Sequence, residues 1–119
     1  MAQLTPSVKN PPGHWDFFLS HTQRDDKAVM LAELLIGNLQ QMGKTVWLDV
    51  RMPRRDRAAM EEGAENSECL IAIVTDNGKD SYFSREYCRD EIAWAQTAGK
   101  SIVPVCAQFD KPNIGTFIA

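Results

Sequence analysis

The residues best suited to do chemistry lie on a predicted helix in the last third of the chain. Tyr87, Glu91, Trp94, Ala95 and Ala98 follow at steps of three and four and therefore share one helix face. Glu91 is then a carboxylate between two aromatic rings on a stripe otherwise made of small residues. Two interpretations stay open: a functional carboxylate, or a glutamate at the rim of the apolar face, solvated or paired with an arginine.

A second candidate is a loop with four arginines within seven residues: Arg51, Arg54, Arg55 and Arg57. Pro53 disfavours helix there. Such a cluster binds a phosphate or an acidic partner face, or it serves only solubility, and the pattern does not decide between these roles.

The cysteines indicate neither a disulfide framework nor a metal site. Cys69, Cys88 and Cys106 are odd in number and widely spaced, and the two histidines complete no zinc-ligand pattern. Cys88 with His21 would make a nucleophile and a base, but a buried, reduced helical cysteine is the favoured interpretation.

Composition excludes several classes of protein. The 119 residues suit one domain, and 13 Lys+Arg against 16 Asp+Glu give a net charge of −3. This balance argues against a nucleic-acid partner and a polybasic membrane surface. No apolar run approaches the roughly 20 residues of a membrane span, residues 1–13 lack the features of a signal peptide, and a cytoplasmic location is expected. No glycine-rich phosphate loop or dinucleotide fingerprint occurs, so no bound cofactor is expected.

Alternating strands and helices must position these residues. Apolar runs predict strands, and apolar spacing with capping residues predicts helices. Asp25 and Asp26 fit the first turn of the first helix and Gly43 its end, Gly63 interrupts the second helix, and Ser84 is a candidate cap for the third. The strands are expected over 15–20, 45–49, 69–75 and 101–105, and the helices over about 25–42, 58–67 and 85–98.

This alternation predicts an α/β fold with a parallel sheet and right-handed crossovers. Ligands of such sheets bind outside the carboxyl ends of the strands, which draws attention to the loops 20–24, 50–57 and 76–84. Pro104 places the fourth strand at an edge or a strand end.

Five segments stand in a recognisable order along residues 15–105. They are Trp15-Asp16-Phe17-Phe18-Leu19-Ser20-His21, Val46-Trp47-Leu48-Asp49, Met60 to Gly63 with Ser67, Tyr82-Phe83-Ser84-Arg85-Glu86-Tyr87-Cys88-Arg89-Asp90-Glu91, and Gly99-Lys100-Ser101-Ile102-Val103-Pro104-Val105. Together they resemble the Toll/interleukin receptor (TIR) domain family. The fourth resembles its Ser…aromatic-Cys-x-x-Glu signature.

The resemblance implies a flavodoxin-like parallel sheet flanked by helices over residues 15–119. Residues 1–14 are expected to form a flexible N-terminal tail, because they contain three prolines and a glycine and few large apolar side chains. The family usually has a fifth strand and a last helix, which are not evident after Val105. The domain is therefore expected to lack them, as a C-terminally truncated domain would, unless residues 106–119 do part of their work.

In the enzymatic branch of the family, the glutamate of that signature cleaves NAD+ at the nicotinamide–ribose bond, and it corresponds to Glu91. The resemblance implies an NADase with NAD+ as substrate, which gives nicotinamide and ADP-ribose or a cyclic ADP-ribose in immune or cell-death signalling. The residues it suggests for substrate binding are Phe18, Ser20, Trp47, Ser84, Tyr87, Cys88 and Trp94.

The resemblance also implies self-association through the loop after the second strand, the BB loop. Its candidate assembly residues are Arg51, Pro53, Arg54, Arg55 and Arg57. The loop departs from the family pattern because it is short, lacks the usual glycine and carries extra arginines.

Two other functions remain open. A non-enzymatic adaptor would act only through TIR–TIR contacts, although Glu91 favours the enzyme because scaffolding members often lack it. A nucleoside deoxyribosyltransferase uses a similar sheet and a glutamate at a glycosidic bond. A response-regulator receiver is excluded, because the first strand ends in Ser20-His21 and not in an acidic pair.

Overall fold

The computed structural model describes residues 10, 12–48, 52, 56–75 and 81–106, which form a four-stranded parallel sheet with helices on both faces. The strands are β1 (Trp15–Ser20), β2 (Val46–Trp47), β3 (Ser67–Ile73) and β4 (Ser101–Val105), in the order β2-β1-β3-β4. This arrangement confirms the predicted α/β, flavodoxin-like fold. The predicted limits of tail and domain stay predictions, and the expected loss of the last strand and helix falls outside the described residues.

The two central strands supply both cores because their side chains alternate between the faces of the sheet. Phe18 pairs with Leu70 and faces one core, whereas Leu19 pairs with Ile71 and faces the other. The outermost described strand on one side is β4, where Pro104 pairs with Ala72. Proline has no backbone N–H to donate to a further strand, so this outer position suits it.

Helix α1 (Asp26–Gln41) lies close to the predicted helix, but Asp25, which was expected in its first turn, is the N-cap residue. The Asp25 side chain caps it by accepting a hydrogen bond from the backbone N–H of Lys27 at 2.9 Å. Gly43 follows its end with a φ of 79°, a conformation that favours glycine. Met42 is the C-cap residue and is 68% exposed.

Helix α2 (Arg57–Glu65) runs through Gly63 without interruption. A Cβ atom on Gly63 would lie 2.8 Å from the Trp47 ring and 2.9 Å from the Phe18 ring. These rings stack on each other with centroids 4.5 Å apart and an interplanar angle of 11°. The glycine therefore allows the helix to approach the stacked pair closely.

Helix α3 (Glu86–Thr97) follows a single 3₁₀ turn, Tyr82–Ser84. The predicted cap at Ser84 is wrong: Ser84 belongs to the turn, and Arg85 is the N-cap residue, without a side-chain capping bond. Gly99 follows the helix with a φ of 74°, as predicted. None of the helices that the structure describes is both long and apolar enough to cross a membrane.

Candidate functional site

A cavity of about 310 Å³ opens at the carboxyl end of β1, as the strand order predicts. The loop 21–24 forms one wall, and the first turns of α3 form another. The lining residues are Leu19, His21, Thr22, Gln23, Arg24, Met60, Arg85, Tyr87, Cys88 and Glu91.

Glu91 is held in this cavity by a chain of buried hydroxyl groups. The Ser20 hydroxyl donates a hydrogen bond to Glu91 Oε1 at 2.6 Å, and the Tyr82 hydroxyl lies 2.5 Å from Ser20 Oγ. A serine hydroxyl has one proton to give, so Tyr82 is the donor to Ser20. Tyr82 thus donates to Ser20, and Ser20 donates to Glu91. The hydroxyl proton of Ser20 therefore points at the carboxyl group of Glu91.

The surroundings of Tyr82 keep that donor protonated. Burial raises the pKa of the Tyr82 hydroxyl well above its usual value of 10.0, and the negative charge of Glu91 raises it further. The hydrogen bond with Ser20 acts in the opposite direction and does not cancel these effects. Tyr82 therefore remains a hydrogen-bond donor at any physiological pH.

Cys88 lies beside Glu91 as a buried thiol without the character of a nucleophile. Burial, followed by the nearby charge of Glu91, raises its pKa from 9.0 to about 12. The thiolate is the reactive form, and at neutral pH it is almost absent here. Cys88 and His21 both line the cavity, but this electrostatic setting favours the buried-thiol interpretation over a nucleophile–base pair.

The buried face of α3 differs from the predicted stripe. Cys88, Glu91 and Ala95 are its buried residues, whereas Tyr87 is 53% exposed at the cavity rim and Ala98 is exposed. Glu91 is only 6% exposed. The interpretation of Glu91 as a solvated rim residue is therefore wrong.

The structure brings some of the predicted substrate-binding residues to Glu91 and keeps others away. Ser20 bonds Glu91, and Tyr87 and Cys88 line the cavity. Phe18 and Trp47 are fully buried as the stacked pair and do not line it. Their burial in the core favours a packing role.

Two further predicted residues, Arg57 and Trp94, contact each other between α2 and α3. Trp94 is partly buried, and the guanidinium of Arg57 lies over its ring, 5.0 Å from the centroid. Arg57 Nη1 also donates to Asp90 Oδ2 at 2.9 Å, so it ties the two helices together. Ser84 is exposed in the 3₁₀ turn. The other predicted assembly residues, Arg51, Pro53, Arg54 and Arg55, lie outside the described residues.

The sequence patterns do not single out Tyr82, Arg24 or Arg85 as site residues. Tyr82 reaches Ser20 across 62 positions of the chain, a contact that no local pattern reveals. The sequence does point indirectly to Arg24, because this residue ends the loop 20–24 after the first strand, where ligands of such sheets bind. Across the part of the chain that the structure describes, no three His, Cys, Asp or Glu side chains cluster as metal ligands would.

Comparison with known proteins adds one finding to this geometry. A family model described as TIR domain matches residues 17–118. The match spans every residue that lines the cavity and the whole hydroxyl chain to Glu91. No curated protein is similar enough to the chain to count as a match.

Proposed function

Because the chain belongs to the TIR domain family, we propose that it cleaves NAD+ at the nicotinamide–ribose bond, with Glu91 as the catalytic carboxylate. Family membership supports a role in signalling, and cleavage of NAD+ is the activity proposed within that role. The observation that carries it is the position of Glu91: a nearly buried carboxyl group, oriented by Ser20, that faces a cavity.

The chemistry needs only one carboxylate. When the C–N bond breaks, its electron pair goes to the pyridinium nitrogen, so nicotinamide leaves as a neutral molecule and no general acid is required. The ribose becomes an oxocarbenium-like cation, which a nearby carboxylate stabilises. Water then adds its hydroxyl to the ribose carbon and releases a proton to solvent, giving ADP-ribose, or the adenine ring attacks instead and closes a cyclic product.

The Tyr82–Ser20 chain gives Glu91 a fixed orientation. A carboxyl group that accepts a hydrogen bond from a buried donor is held in one rotamer, so it need not reorganise as the cation develops. The oxygen atom that Ser20 bonds, Oε1, is thereby positioned by the protein. In this proposal Glu91 also holds the ribose hydroxyl groups of the bound nucleotide.

Self-association belongs to the same proposal. TIR domains commonly self-associate, and a neighbouring copy would close the open side of the cavity with its BB loop. The rate of nicotinamide release per molecule should therefore rise with protein concentration. A rate per molecule that stays constant across concentrations would contradict this part of the proposal.

The test is chromatography of NAD+ incubated with concentrated protein, with nicotinamide as the readout. Glu91→Gln keeps the shape of the side chain and removes its charge, so it should lower the rate by about 10²–10³-fold or more while the protein stays folded. Glu91→Ala should do the same. Glu86→Gln is the matched control, because Glu86 is an exposed carboxylate on the same helix.

The companion product peak identifies ADP-ribose or its cyclic form. Release of nicotinamide that depends on Glu91 supports the enzyme. A folded protein that releases none at high concentration overturns the proposal and supports a non-enzymatic adaptor that acts by TIR–TIR contacts.

A further inference from the structure

The four described arginines fall into two pairs with different surroundings. Arg57 binds Asp90, and Arg89 Nη1 donates to the backbone carbonyl of Phe83 at 2.7 Å. Arg24 and Arg85 both line the cavity, and within the described residues neither guanidinium makes a hydrogen bond or an ion pair. Among the described arginines, the two whose guanidinium groups make no hydrogen bond or ion pair are thus the two at the candidate site.

The charges of the cavity are arranged by depth. Glu91 is 6% exposed and lies at the inner end, whereas Arg24 is exposed and Arg85 is half-buried toward the outside. A ligand that matches this pattern carries positive charge where it meets Glu91 and negative charge where it leaves the cavity. Complementarity of this kind selects ligands by their own charge pattern.

The size of the cavity also indicates that only one part of a large ligand fits inside it. At about 310 Å³ it lies near the lower end of the volumes usual for small-molecule sites, roughly 300–1,000 Å³. A whole dinucleotide exceeds such a volume, but its pyridinium and ribose fit. The phosphate groups then fall on the solvent side of the cavity, where we expect the exposed Arg24 and the half-buried Arg85 to meet them.

We propose that Arg24 and Arg85 form a phosphate-binding subsite, which makes the site selective for pyridinium nucleotides over the corresponding nucleoside. This inference rests on the proposed function and extends it to the choice of substrate. An arginine fork binds phosphate oxygens in a bidentate manner, and two forks match the two phosphates of a dinucleotide. Both arginines act in binding, and neither takes part in breaking the glycosidic bond.

The first experiment compares NAD+, nicotinamide mononucleotide and nicotinamide riboside at low salt. Arg24→Gln and Arg85→Gln should each raise KM for NAD+ about tenfold and leave kcat nearly unchanged. KM for the riboside, which has no phosphate, should not change. Lys44→Gln is the charge-matched control, because Lys44 is exposed near the amino end of β2, away from the cavity. Equal losses for NAD+ and the riboside would overturn the subsite.

The second experiment does not require turnover. Inorganic pyrophosphate is titrated into the wild-type protein, the Arg24→Gln/Arg85→Gln double variant and Lys44→Gln by calorimetry. Binding that only the double variant loses, and that weakens with added salt, supports the subsite. Binding that is absent from the wild type, or equal in the double variant, overturns it.

The two proposals fail separately. If NAD+ is not cleaved but pyrophosphate binds in the expected way, the enzyme proposal fails and the anion subsite stands. If NAD+ is cleaved and the arginine variants behave like Lys44→Gln, the enzyme stands and the subsite fails.

Discussion

The two faces of the sheet bury side chains of different chemistry, although the same strands supply both. The face under α1 is aliphatic: Leu19, Ile36, Ile71 and Ile73 pack there with small residues of the helix. The face under α2 and α3 holds stacked aromatic rings, a thiol and the hydrogen-bonded chain that ends at Glu91.

The two kinds of buried side chain contribute differently to the stability of the fold. Burial of aliphatic surface stabilises the protein in proportion to the area removed from water. Burial of a carboxyl group opposes folding unless hydrogen bonds compensate it, and an apolar side chain in its place would serve stability as well or better. Stability alone does not account for Glu91 on this face, which fits the catalytic role proposed for it.

The largest effects are expected when one variant from each face is compared in both stability and activity. Ile36→Ala should lower the free energy of unfolding by about 2–5 kcal/mol, because Ile36 is 1% exposed and its removal leaves a cavity. The activity per folded molecule should stay the same. Glu91→Gln should lower the activity and leave the free energy of unfolding nearly unchanged. Denaturant unfolding measures the stability of both variants, and nicotinamide release measures their activity. A large loss of activity in folded Ile36→Ala would end the distinction between the faces.

A smaller effect is expected from the two helical glycines. Gly63→Ala should lower the free energy of unfolding by about 1–3 kcal/mol, because the new Cβ would press on the Trp47 and Phe18 rings. Gly37→Ala, on the exposed side of α1, meets no atom within 4 Å and should raise it by about 0.5–1 kcal/mol. Thermal unfolding of both variants gives the comparison, and the same sign for both would contradict the packing argument.

Tyr82→Phe should have a smaller effect still. It removes one buried hydroxyl while Ser20 keeps its bond to Glu91, so the free energy of unfolding should fall by about 1 kcal/mol. The value of kcat should fall severalfold with KM unchanged, because the variant loosens the orientation of Glu91 and not the binding of substrate. Steady-state kinetics check this, and a rise in KM with constant kcat would assign Tyr82 to substrate binding instead.

The least effect at neutral pH comes from the Cys88 thiol. Its pKa is raised from 9.0 to about 12 in the folded protein, so the folded state holds this proton more tightly than the unfolded chain does. The stabilisation is complete below pH 9 and is lost as the pH rises from 9 toward 12. Between those values the advantage of the wild type over Cys88→Ala should shrink, as thermal unfolding at several pH values would show. Rapid alkylation of Cys88 in the native protein at pH 7 would contradict the raised pKa.

The parts of the fold that follow from local patterns were predictable from the sequence. The strand and helix order, the ends of α1 at Asp25 and Gly43, and the end of α3 at Gly99 all rest on neighbouring residues. Glu91 could be selected as a candidate site residue because it is a carboxylate on an otherwise apolar helix face.

The remainder depends on contacts between distant segments. Gly63 looks like a helix breaker until Phe18 and Trp47 meet beside it. The orientation of Glu91 depends on Ser20 and Tyr82, which come from other elements. Spacing along one helix could not show this, and it also placed Tyr87, which is 53% exposed, on the buried face.

The alternation of Leu19 and Ser20 along β1 has a consequence for how this chain tolerates change over evolution. Leu19 pairs with Ile71 over the aliphatic face, and Ser20 pairs with Ala72 on the face of Glu91. A single inserted or deleted residue in this strand would exchange them, placing a hydroxyl in the aliphatic core and a hydrocarbon against the carboxyl group. Length variation among descendants should therefore collect outside residues 17–20, where structure and site would fail together.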